Sequence, residues 1–511
     1  MKTQKRNVRE IRNNIRISLI LLLSYFMFPL LGNPGMQASD ADISDDEITT
    51  AVETELRLNS TTPAYLIDVE TNDGIVTLTG SVVNIRAKDR AASITRTVKG
   101  VRAVINNIEV NAPLRPDEVL ENEVKEQLLK DPATDSYELY VEADNGIVTL
   151  AGKVQSFQEK ELAEFVAKGV KGVRGLENNI IVNYEADRKD EEIEEEISRT
   201  LRFDNRIDDG AVFVNVKDGN VELSGVVGSA AERSLAKKLA QTIGVNSVNV
   251  EKLEVRKWAR DEELRKSKYA VKTDNEILQA VKDALIYDPR VASFNPEVTV
   301  KEGVVTLSGT VDNLKAKQAA EQDAKNVVGV FHVNNNLKVR PRFIPNDDEL
   351  ESTISTSLRK DPIIDKWQIE AVADHGIVYL NGSVDSYFEK LHAEDIASRT
   401  QGVIDVENNL TVLDSDDAYF FNYYGWNTFL PPYQVEVNEL FMDDEEIRKE
   451  IKNQLWWSPF VNEDEIEVKV DDGTAILSGV VDTRREKLHA EINAMEGGAE
   501  EVKNKIMITQ K

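Results

Sequence analysis

The chain has 511 residues and a formal net charge of −29 at neutral pH, which results from 91 acidic and 62 basic side chains. Hydrophobic residues make up 41% of it, as in globular proteins, and the absence of cysteine excludes disulfide bonds and thiolate metal sites. Because such a polyanion repels nucleic acid at long range, no nucleic-acid partner is expected. We interpret the acidity as a means of keeping a long chain soluble.

The first 38 residues have the pattern of a secretory signal peptide. Six basic side chains precede an apolar run from Ile17 to Leu31, and a run of this length is shorter than the roughly 20 residues needed to span a bilayer. We therefore predict that residues 1–38 are a cleaved signal peptide and that the protein is periplasmic. An uncleaved signal anchor that tethers the chain to the inner membrane is the alternative. Cleavage would bring the net charge to −34.

Two glycines six residues apart recur six times along the chain, with valine or leucine between most of them. We predict structural roles for these glycines, which are Gly74 and Gly80, Gly146 and Gly152, Gly219 and Gly225, Gly303 and Gly309, Gly376 and Gly382, and Gly473 and Gly479. A period of about 70 residues is too long for a solenoid unit, so each copy is predicted to be a small domain. The predicted domains, which we call repeats 1 to 6, are 43–113, 116–184, 189–256, 271–341, 346–414 and 442–509.

Each repeat begins with a predicted helix that has an acidic first turn. Three aliphatic residues follow at positions i, i+4 and i+8, which places them on one face of the helix. They are Ile48, Val52 and Leu56; Leu120, Val124 and Leu128; Ile193, Ile197 and Leu201; Ile277, Val281 and Leu285; Leu350, Ile354 and Leu358; and Ile447, Ile451 and Leu455. Ser44 with Glu47 and Thr273 with Glu276 have the spacing of a capping box.

Alternating apolar and polar residues on both sides of a short turn then predict a β-hairpin. The turns, which favour the type I′ geometry, are Asp73-Gly74, Asn145-Gly146, Asp218-Gly219, Glu302-Gly303, His375-Gly376 and Asp472-Gly473. The second glycine of each pair follows on the side that faces the core. We expect its missing side chain to let a helix backbone approach the sheet.

A second amphipathic helix and a short last strand complete each repeat. The second helix is predicted over 87–98 in repeat 1, with Gly100 as its C-cap. Last strands such as 104–110 (VINNIEV) contain an asparagine pair, which repeat 3 lacks. The order helix, strand, strand, helix, strand predicts an α+β fold, with a three-stranded sheet and two helices on one of its faces.

This pattern resembles the BON domain, named for bacterial osmotically inducible and nodulation proteins, whose core has a dGxVxLxG hairpin and a GV…V…N strand. All six repeats match it, so the chain is similar to hyperosmotically inducible periplasmic proteins. The resemblance implies the α+β order described above and no catalysis. It also implies phospholipid binding or support of the cell envelope under osmotic stress, and it offers structural glycines rather than a defined ligand set.

No constellation of residues in the sequence indicates catalysis, a metal or a cofactor. The four histidines, His332, His375, His392 and His489, lack metal-ligand spacing, and we interpret them as surface or helix-packing residues. The sequence contains no phosphate-binding GxxxxGK[ST] loop and no GxSxG nucleophile elbow. We therefore predict a non-enzymatic protein with no catalytic residue, metal, cofactor or small-molecule substrate.

Two segments separate the repeats more widely than the others do. Residues 257–270 are charged, and we interpret them as a solvated helical spacer. The insertion at residues 415–441 contains nine of the 33 aromatic residues, which suits a membrane interface, a partner surface or a stiff strap across two repeats. Our candidate membrane or partner contacts, in this insertion and in the first helix of repeat 6, are Trp426, Phe429, Tyr433, Trp456 and Trp457.

The leading hypothesis is a non-enzymatic exported protein that binds phospholipid or membrane-associated envelope components and supports envelope integrity under osmotic stress. Because the net charge opposes binding to anionic lipid, contact would need local lysine and arginine clusters, divalent cations or aromatic insertion. The alternative is a periplasmic interaction scaffold or holdase-like stress protein, whose tandem domains give avidity for protein partners.

Overall fold

The computed structural model describes residues 43–58, 66–131, 133–134, 137–183, 188–256, 268, 271–364, 369–384, 386–412, 443–471, 473–499 and 501–509. The predicted signal peptide, the aromatic-rich insertion and every residue of the charged linker 257–270 except Lys268 lie outside them. Residues Ser44–Lys511 form one compact unit. Six repeats with the same order of elements make up this unit.

Repeats 1 to 3 are built from the following elements, numbered in chain order. Repeat 1 contains α1 (Asp45–Leu58), β1 (Ile67–Asn72), β2 (Ile75–Val82), α2 (Ile85–Arg96), β3 (Ala103–Asn106) and β4 (Glu109–Val110). Repeat 2 contains α3 (Asp117–Lys130), β5 (Leu139–Asp144), β6 (Ile147–Val154), α4 (Phe157–Lys168) and β7 (Gly175–Val182). Repeat 3 contains α5 (Asp190–Phe203), β8 (Val212–Lys217), β9 (Asn220–Val227), α6 (Ala230–Leu239) and β10 (Ser247–Val255).

Repeats 4 to 6 continue the same order. Repeat 4 contains α7 (Asp274–Tyr287), β11 (Glu297–Lys301), β12 (Val304–Val311), α8 (Leu314–Lys325) and β13 (His332–Val339). Repeat 5 contains α9 (Asp347–Lys360), β14 (Glu370–Asp374), β15 (Ile377–Asn381), β16 (Ser383–Val384), α10 (Tyr387–Ser398), β17 (Asp405–Asn408) and β18 (Thr411–Val412). Repeat 6 contains α11 (Asp444–Trp457), β19 (Ile466–Asp471), β20 (Thr474–Val481), α12 (Arg484–Glu496), β21 (Glu501–Asn504) and β22 (Met507–Ile508).

In every repeat, the strand that follows the turn is the middle strand of the sheet. It pairs antiparallel with the strand before the turn and parallel with the last strand, as Leu78 does with Val69 and Asn106. Parallel neighbours need a crossover connection, which the second helix provides. The last strand is divided in two in repeats 1, 5 and 6. The α+β fold with a small sheet in each repeat, predicted from the sequence, is confirmed.

The first helix and the hairpin of each repeat enclose a hydrophobic core. All the aliphatic residues predicted to line the first helices are buried, for example Ile48, Val52 and Leu56 in repeat 1. Val76 and Leu78 of β2 lie opposite them and are also buried. Each large aliphatic side chain contributes about 1.5–3 kcal/mol when it leaves water. The spacing of the apolar residues therefore determines which face of each first helix meets the sheet.

The start of each first helix is tied to the hairpin turn. Capping boxes form at Ser44 and Thr273, as predicted. In repeat 1, the Asp45 carboxylate accepts hydrogen bonds from the amides of Asp73 at 2.8 Å and Gly74 at 2.9 Å. Both turn residues have positive φ, 50° and 68°, as a type I′ turn requires. Repeats 3 and 4 contain the same two hydrogen bonds.

The second glycine of the pair makes a different contact from the predicted one. A Cβ atom on Gly80 would overlap the carbonyl oxygen of Leu66, which lies just before β1, and its φ of +103° disfavours other residues. The glycine therefore lets the backbone of the first strand come close, and the predicted approach of a helix is wrong. Gly309 of repeat 4 differs, because the nearest atom to a Cβ there belongs to Leu337 at 3.8 Å.

The second helices begin and end before the predicted bounds. Helix α2 starts at Ile85 because the Asn84 side chain accepts a hydrogen bond from the Ala87 amide and so caps the helix. Its C-cap is Thr97. Gly100 lies in the turn beyond, with a φ of +91°, so its predicted role as the C-cap is wrong.

An asparagine of the last strand ties this strand to the second helix. In repeat 1, Asn106 Nδ2 donates a hydrogen bond to the Lys88 carbonyl of α2 at 2.8 Å. The equivalent asparagine makes the same bond in repeats 2, 4, 5 and 6. In repeat 3, the helix is the donor instead, since the Arg233 guanidinium donates to the Val250 carbonyl at 2.9 Å. The hydrogen bond between strand and helix is thus present in all six repeats.

Repeats 1 and 2, 2 and 3, and 4 and 5 dock through their second helices. Between repeats 1 and 2, Arg86 of α2 donates a hydrogen bond to the Phe165 carbonyl of α4 at 3.0 Å. One turn further along, Asp89 forms an ion pair with Lys168 at 2.8 Å. Because each repeat lies near the size at which folding alone becomes marginal, contacts of this kind add to the stability of the whole unit.

The charged linker contains a buried residue. Lys268 is only 2% exposed, and its Nζ donates to the carbonyls of Ile207 and, at 2.9 Å, Leu201. The Asp209 carboxylate lies 3.2 Å from the same nitrogen. Burial lowers the pKa of the Lys268 amine, although Asp209 opposes this shift. The prediction of a solvated spacer is therefore wrong at this position.

Candidate functional site

Three of the five candidate contact residues, Trp426, Phe429 and Tyr433, lie outside the described residues. Trp456 and Trp457 are the last two residues of α11 in repeat 6. Within the part of the chain that the structure describes, no helix is long and apolar enough to cross a membrane.

Helix α11 has one buried face and one exposed face. Its aliphatic triplet lies in the core of repeat 6. Lys449, Lys452, Asn453 and Trp456 are exposed, and their spacing of three and four residues places them on one side of the helix. We call these four residues the basic helix face.

The last eleven residues of α11 have a larger excess of cations than the equivalent residues of any other first helix. The segment from Ile447 to Trp457 contains three cations and one anion. The equivalent eleven positions of the other repeats contain at most two cations and have a net charge between −1 and +1. Arg448 forms an ion pair with Glu445 at 2.5 Å, which lowers the pKa of that carboxyl. The cluster is visible in the sequence, but only the structure identifies which of its members face solvent.

The two tryptophans also join repeat 6 to repeat 1. The Trp456 carbonyl accepts a hydrogen bond from Lys99 Nζ at 2.8 Å, and the Trp457 carbonyl accepts one from the Lys99 amide at 2.9 Å. The same Nζ lies 4.9 Å from the centroid of the Trp456 ring, within the range of a cation–π interaction. Trp456 nevertheless keeps 38% of its surface exposed. These contacts hold one indole at the rim of the basic helix face.

Two acidic groups with altered protonation, Glu55 of α1 and Glu496 of α12, lie near the side of α11 that faces repeat 1. Burial, followed by the charge of Glu496, raises the pKa of Glu55 to about 7, while a hydrogen bond from Gln454 opposes the shift. Burial likewise raises the pKa of Glu496, and the charge of Arg90 opposes it. Because the folded protein binds the Glu55 proton more tightly than the unfolded chain does, we expect the stability linked to this proton to be lost as the pH rises through about 7.

A second cluster lies in a cleft of about 290 Å³ lined by residues of repeats 1, 2 and 5. The guanidinium groups of Arg86 and Arg399 lie 4.3 and 4.5 Å from the centroid of the Phe165 ring. His392 Nε2 lies 2.9 Å from Asp361 Oδ2 in the same region. The Phe165 ring of repeat 2 thus contacts arginines of repeats 1 and 5, so we assign the cleft to packing between repeats.

A third cluster lies at the turn of repeat 5. One ligand atom each of Asp347, Asp374 and His375 lies within 4.8 Å of the others, so the three could hold a metal ion. The Asp347 carboxylate accepts a hydrogen bond from the His375 amide at 3.0 Å, as the helix-start aspartate does in other repeats. The interaction with Asp374 raises the pKa of His375. The spacing along the chain does not reveal this group, because the fold brings the helix start to the turn.

Comparison with known proteins gives matches along the whole length of the repeats. The BON domain family matches residues 44–112, 116–184, 189–257, 273–341, 346–414 and 443–510. The chain is 33% identical over 143 residues to Osmotically-inducible protein Y of Escherichia coli (strain K12), an alignment that covers 27% of this chain and 71% of that protein. It is 28% identical over 145 residues to Outer membrane lipoprotein DolP of Haemophilus influenzae, across 27% of this chain and 75% of that protein.

A solved structure that aligns with this chain is that of CdsD, a structural protein of the Type III secretion system of Chlamydia trachomatis. The alignment covers 40% of this chain and 91% of the CdsD chain. The identity is 16% and the TM-score is 0.11, values that support no argument about this chain. The six matched segments coincide with the six structural repeats, each with its glycine pair and its tie between strand and helix. The chain therefore belongs to the BON domain family.

Proposed function

We propose that this chain is a non-enzymatic exported envelope protein that binds phospholipid surfaces and supports envelope integrity under osmotic stress. The basic helix face of α11 carries the proposal, since Lys449, Lys452 and Trp456 combine two exposed cations with a partly exposed indole. Lysine is attracted to anionic headgroups, and tryptophan prefers the boundary between headgroups and acyl chains. The relatives named for osmotic induction and for the outer membrane support the coarser statement, a protein of the envelope or of osmotic stress.

Binding of this kind has to overcome the negative charge of the rest of the chain. At 0.1 M salt, charges separated by more than about 10 Å are largely screened, so the groups nearest the membrane dominate. Each lysine near an anionic surface contributes about 1 kcal/mol. The two lysines together contribute about 2 kcal/mol, and insertion of the Trp456 ring adds apolar burial. We therefore expect weak, reversible binding that salt reduces.

The test is vesicle flotation of the purified protein with phosphatidylethanolamine vesicles, with and without phosphatidylglycerol. The double variant Lys449→Glu, Lys452→Glu should weaken binding to the anionic vesicles more than about tenfold, because it removes two attractions and adds two repulsions. Trp456→Ala should weaken binding to both kinds of vesicle. Lys282→Glu is the matched control, since Lys282 is exposed at the equivalent position of α7 in repeat 4, and it should leave binding unchanged.

Two results would overturn the proposal or move its site. A protein that stays unbound with vesicles of either composition, with or without magnesium, does not bind phospholipid surfaces. Deletion of residues 415–441 removes the aromatic-rich insertion and keeps α11, so it distinguishes the two candidate contact sites. If the folded deletion variant loses binding, the contact lies in the insertion. A defined protein that remains bound after a detergent wash would favour the scaffold alternative.

A further inference from the structure

The second helices dock in a recurring way that can be described by positions counted from the N-cap. At the junction of repeats 2 and 3, positions 2 and 5 of α4 meet positions 9 and 12 of α6. Glu161 forms an ion pair with Lys238 at 2.8 Å, and Gln158 donates to the Gln241 carbonyl at 3.0 Å. We call positions 2 and 5 the leading edge of a repeat and positions 9 and 12 its trailing edge. The junction of repeats 1 and 2 uses the same edges.

Repeats 4 and 5 also dock with a leading edge on a trailing edge. Lys315 of α8 forms an ion pair with Asp395 of α10, and Gln318 donates to the Ser398 hydroxyl at 3.3 Å. At all three junctions, polar or charged groups on the leading edge meet polar or charged partners on the trailing edge. Complementary chemistry between the edges therefore accompanies docking at each of these junctions.

Repeats 5 and 6 have edges of a different kind. The leading edge of repeat 5 is Phe388 and Leu391, and the trailing edge of repeat 6 is Ile492 and Met495. No other leading or trailing edge in the chain has a large apolar residue at both positions. Leu391 is 62% exposed and Ile492 is 37% exposed. The two edges match in chemistry, but they do not cover each other.

Other contacts hold repeat 6 away from the leading edge of repeat 5. The Lys99 amide of repeat 1 donates to the Trp457 carbonyl at 2.9 Å. Arg485 of α12 donates to the Arg206 carbonyl of repeat 3. A move of repeat 6 onto repeat 5 within one chain would break both contacts. Phe388 is half-buried, with its ring centroid 4.5 Å from the Arg90 guanidinium of repeat 1. Leu391 is therefore the part of this edge that a trailing edge from another molecule would meet while both contacts stay in place.

We propose that two copies of this chain associate through these edges, with Leu391 of one copy packed against Ile492 of the other. A two-fold axis makes the contact twice, which suits two edges that lie on the same chain but do not meet there. The contact reuses the docking mode of the three junctions, with apolar burial in place of ion pairs. Because each of the two contacts involves only four apolar side chains on two helices, the interface is small and the dimer should be weak, with a dissociation constant on the order of micromolar.

The test is sedimentation velocity of the purified protein over a range of concentrations. Wild type should form a reversible dimer. Leu391→Glu and Ile492→Lys should each weaken dimer formation more than about tenfold, since each places a charge in an apolar contact. An equimolar mixture of the two variants should form a dimer again, because one contact is then native and the other is a Glu–Lys pair like that of Glu161 and Lys238.

Matched measurements keep this test decisive. Gln322→Glu changes an exposed position 9 in repeat 4 and should leave the dimer unchanged. At concentrations low enough for wild type to be monomeric, hydrogen exchange of α10 and α12 should match wild type in the Leu391→Glu, Ile492→Lys and Gln322→Glu single variants. A wild type that stays monomeric well above micromolar concentration overturns the proposal. The proposal is also overturned if the double variant Leu391→Glu, Ile492→Lys stays monomeric while hydrogen exchange in its α10 and α12 becomes slower than in wild type. The two edges would then meet within one chain.

Discussion

Repeats 3 and 4 have the same fold and lie against each other, but different residues hold their sheets together. In repeat 3, a Cβ on Gly225 would overlap the Ala211 carbonyl oxygen, whereas a Cβ on Gly309 of repeat 4 would make only an ordinary contact with the Leu337 side chain at 3.8 Å. In repeat 3, the arginine of the second helix donates to the last strand, whereas in repeat 4 Asn335 of the strand donates to the helix. The last strand of repeat 3 also has a register shift, which repeat 4 lacks.

The difference shows that the fold depends on where a hydrogen bond or a close approach occurs more than on which residue supplies it. A strand can be tied to a helix by a donor on either element, provided that the buried backbone carbonyl is satisfied. A glycine, in contrast, has no substitute where another backbone occupies the space of its Cβ. The two repeats should therefore respond differently to the same substitution.

The largest difference is expected for the second glycine. Gly225→Ala should lower the opening free energy of β8 and β9 by more than about 3 kcal/mol, because the methyl group would force two strands apart at a residue with φ of +104°. Gly309→Ala meets no backbone atom and should cost about 1–3 kcal/mol through its φ alone. Hydrogen exchange measured by mass spectrometry on the two hairpins compares them directly. Equal losses in both repeats would contradict the role of the Ala211 carbonyl.

The buried lysine beside repeat 3 should give the next largest effect. Lys268→Met keeps the length of the side chain but leaves the Leu201 carbonyl and the Asp209 carboxylate without their cation. We expect a loss of about 2 kcal/mol in the opening free energy of α5, since burial of the amine already offsets part of its contacts. Lys252→Met, at an exposed ion pair with Glu222, is the control and should cost less than about 1 kcal/mol. Similar losses in the two variants would show that burial of Lys268 is unimportant.

The features that were predictable from the sequence are those that depend on neighbours along the chain. The i, i+4 and i+8 spacing identifies the buried face of a first helix, and Asp-Gly or Asn-Gly identifies a type I′ turn, because both depend on local backbone geometry. The capping box of Thr273 belongs to the same class. These patterns were sufficient to predict the order of elements in all six repeats.

The features that were not predictable depend on contacts between distant residues. The role of Gly80 follows from the pairing of two strands, which brings the Leu66 carbonyl over it. The burial of Lys268 and the exposure of Trp456 follow from the way in which repeats and linker pack. No local pattern contains this information. The composition of α11 indicates a cluster of cations, but only the packing of repeat 6 determines which of them face solvent.

The tie between strand and helix should give a smaller effect, with repeat 4 more sensitive than repeat 3. Asn335→Ala removes a hydrogen bond to the Lys317 carbonyl at 2.9 Å and leaves the Leu337 amide without its 3.3 Å acceptor, so we expect a loss of about 1–2 kcal/mol in β13. Arg233→Ala removes a donor from one carbonyl near the surface and should cost about 1 kcal/mol in β10. Hydrogen exchange of the two last strands gives both values. A larger loss in β10 would mean that the arginine does more than replace the asparagine.

The smallest effect should come from the aspartate at the start of the first helix, and it should depend on pH. The amides of Gly303 and Glu302 donate to the Asp274 carboxylate and hold the pKa of that carboxyl below its usual value. The ionised group therefore stabilises repeat 4 above about pH 4, and this contribution is lost as the pH falls through the lowered pKa. Asp274→Asn should make the turn of repeat 4 exchange faster at pH 7, and the difference from wild type should disappear in acid. Asp190 accepts the same two bonds in repeat 3, at 2.7 and 2.9 Å, so Asp190→Asn should speed exchange at that turn by a similar factor. A difference for Asp274→Asn that persists unchanged in acid would show that the shape of the carboxylate, rather than its charge, holds the turn.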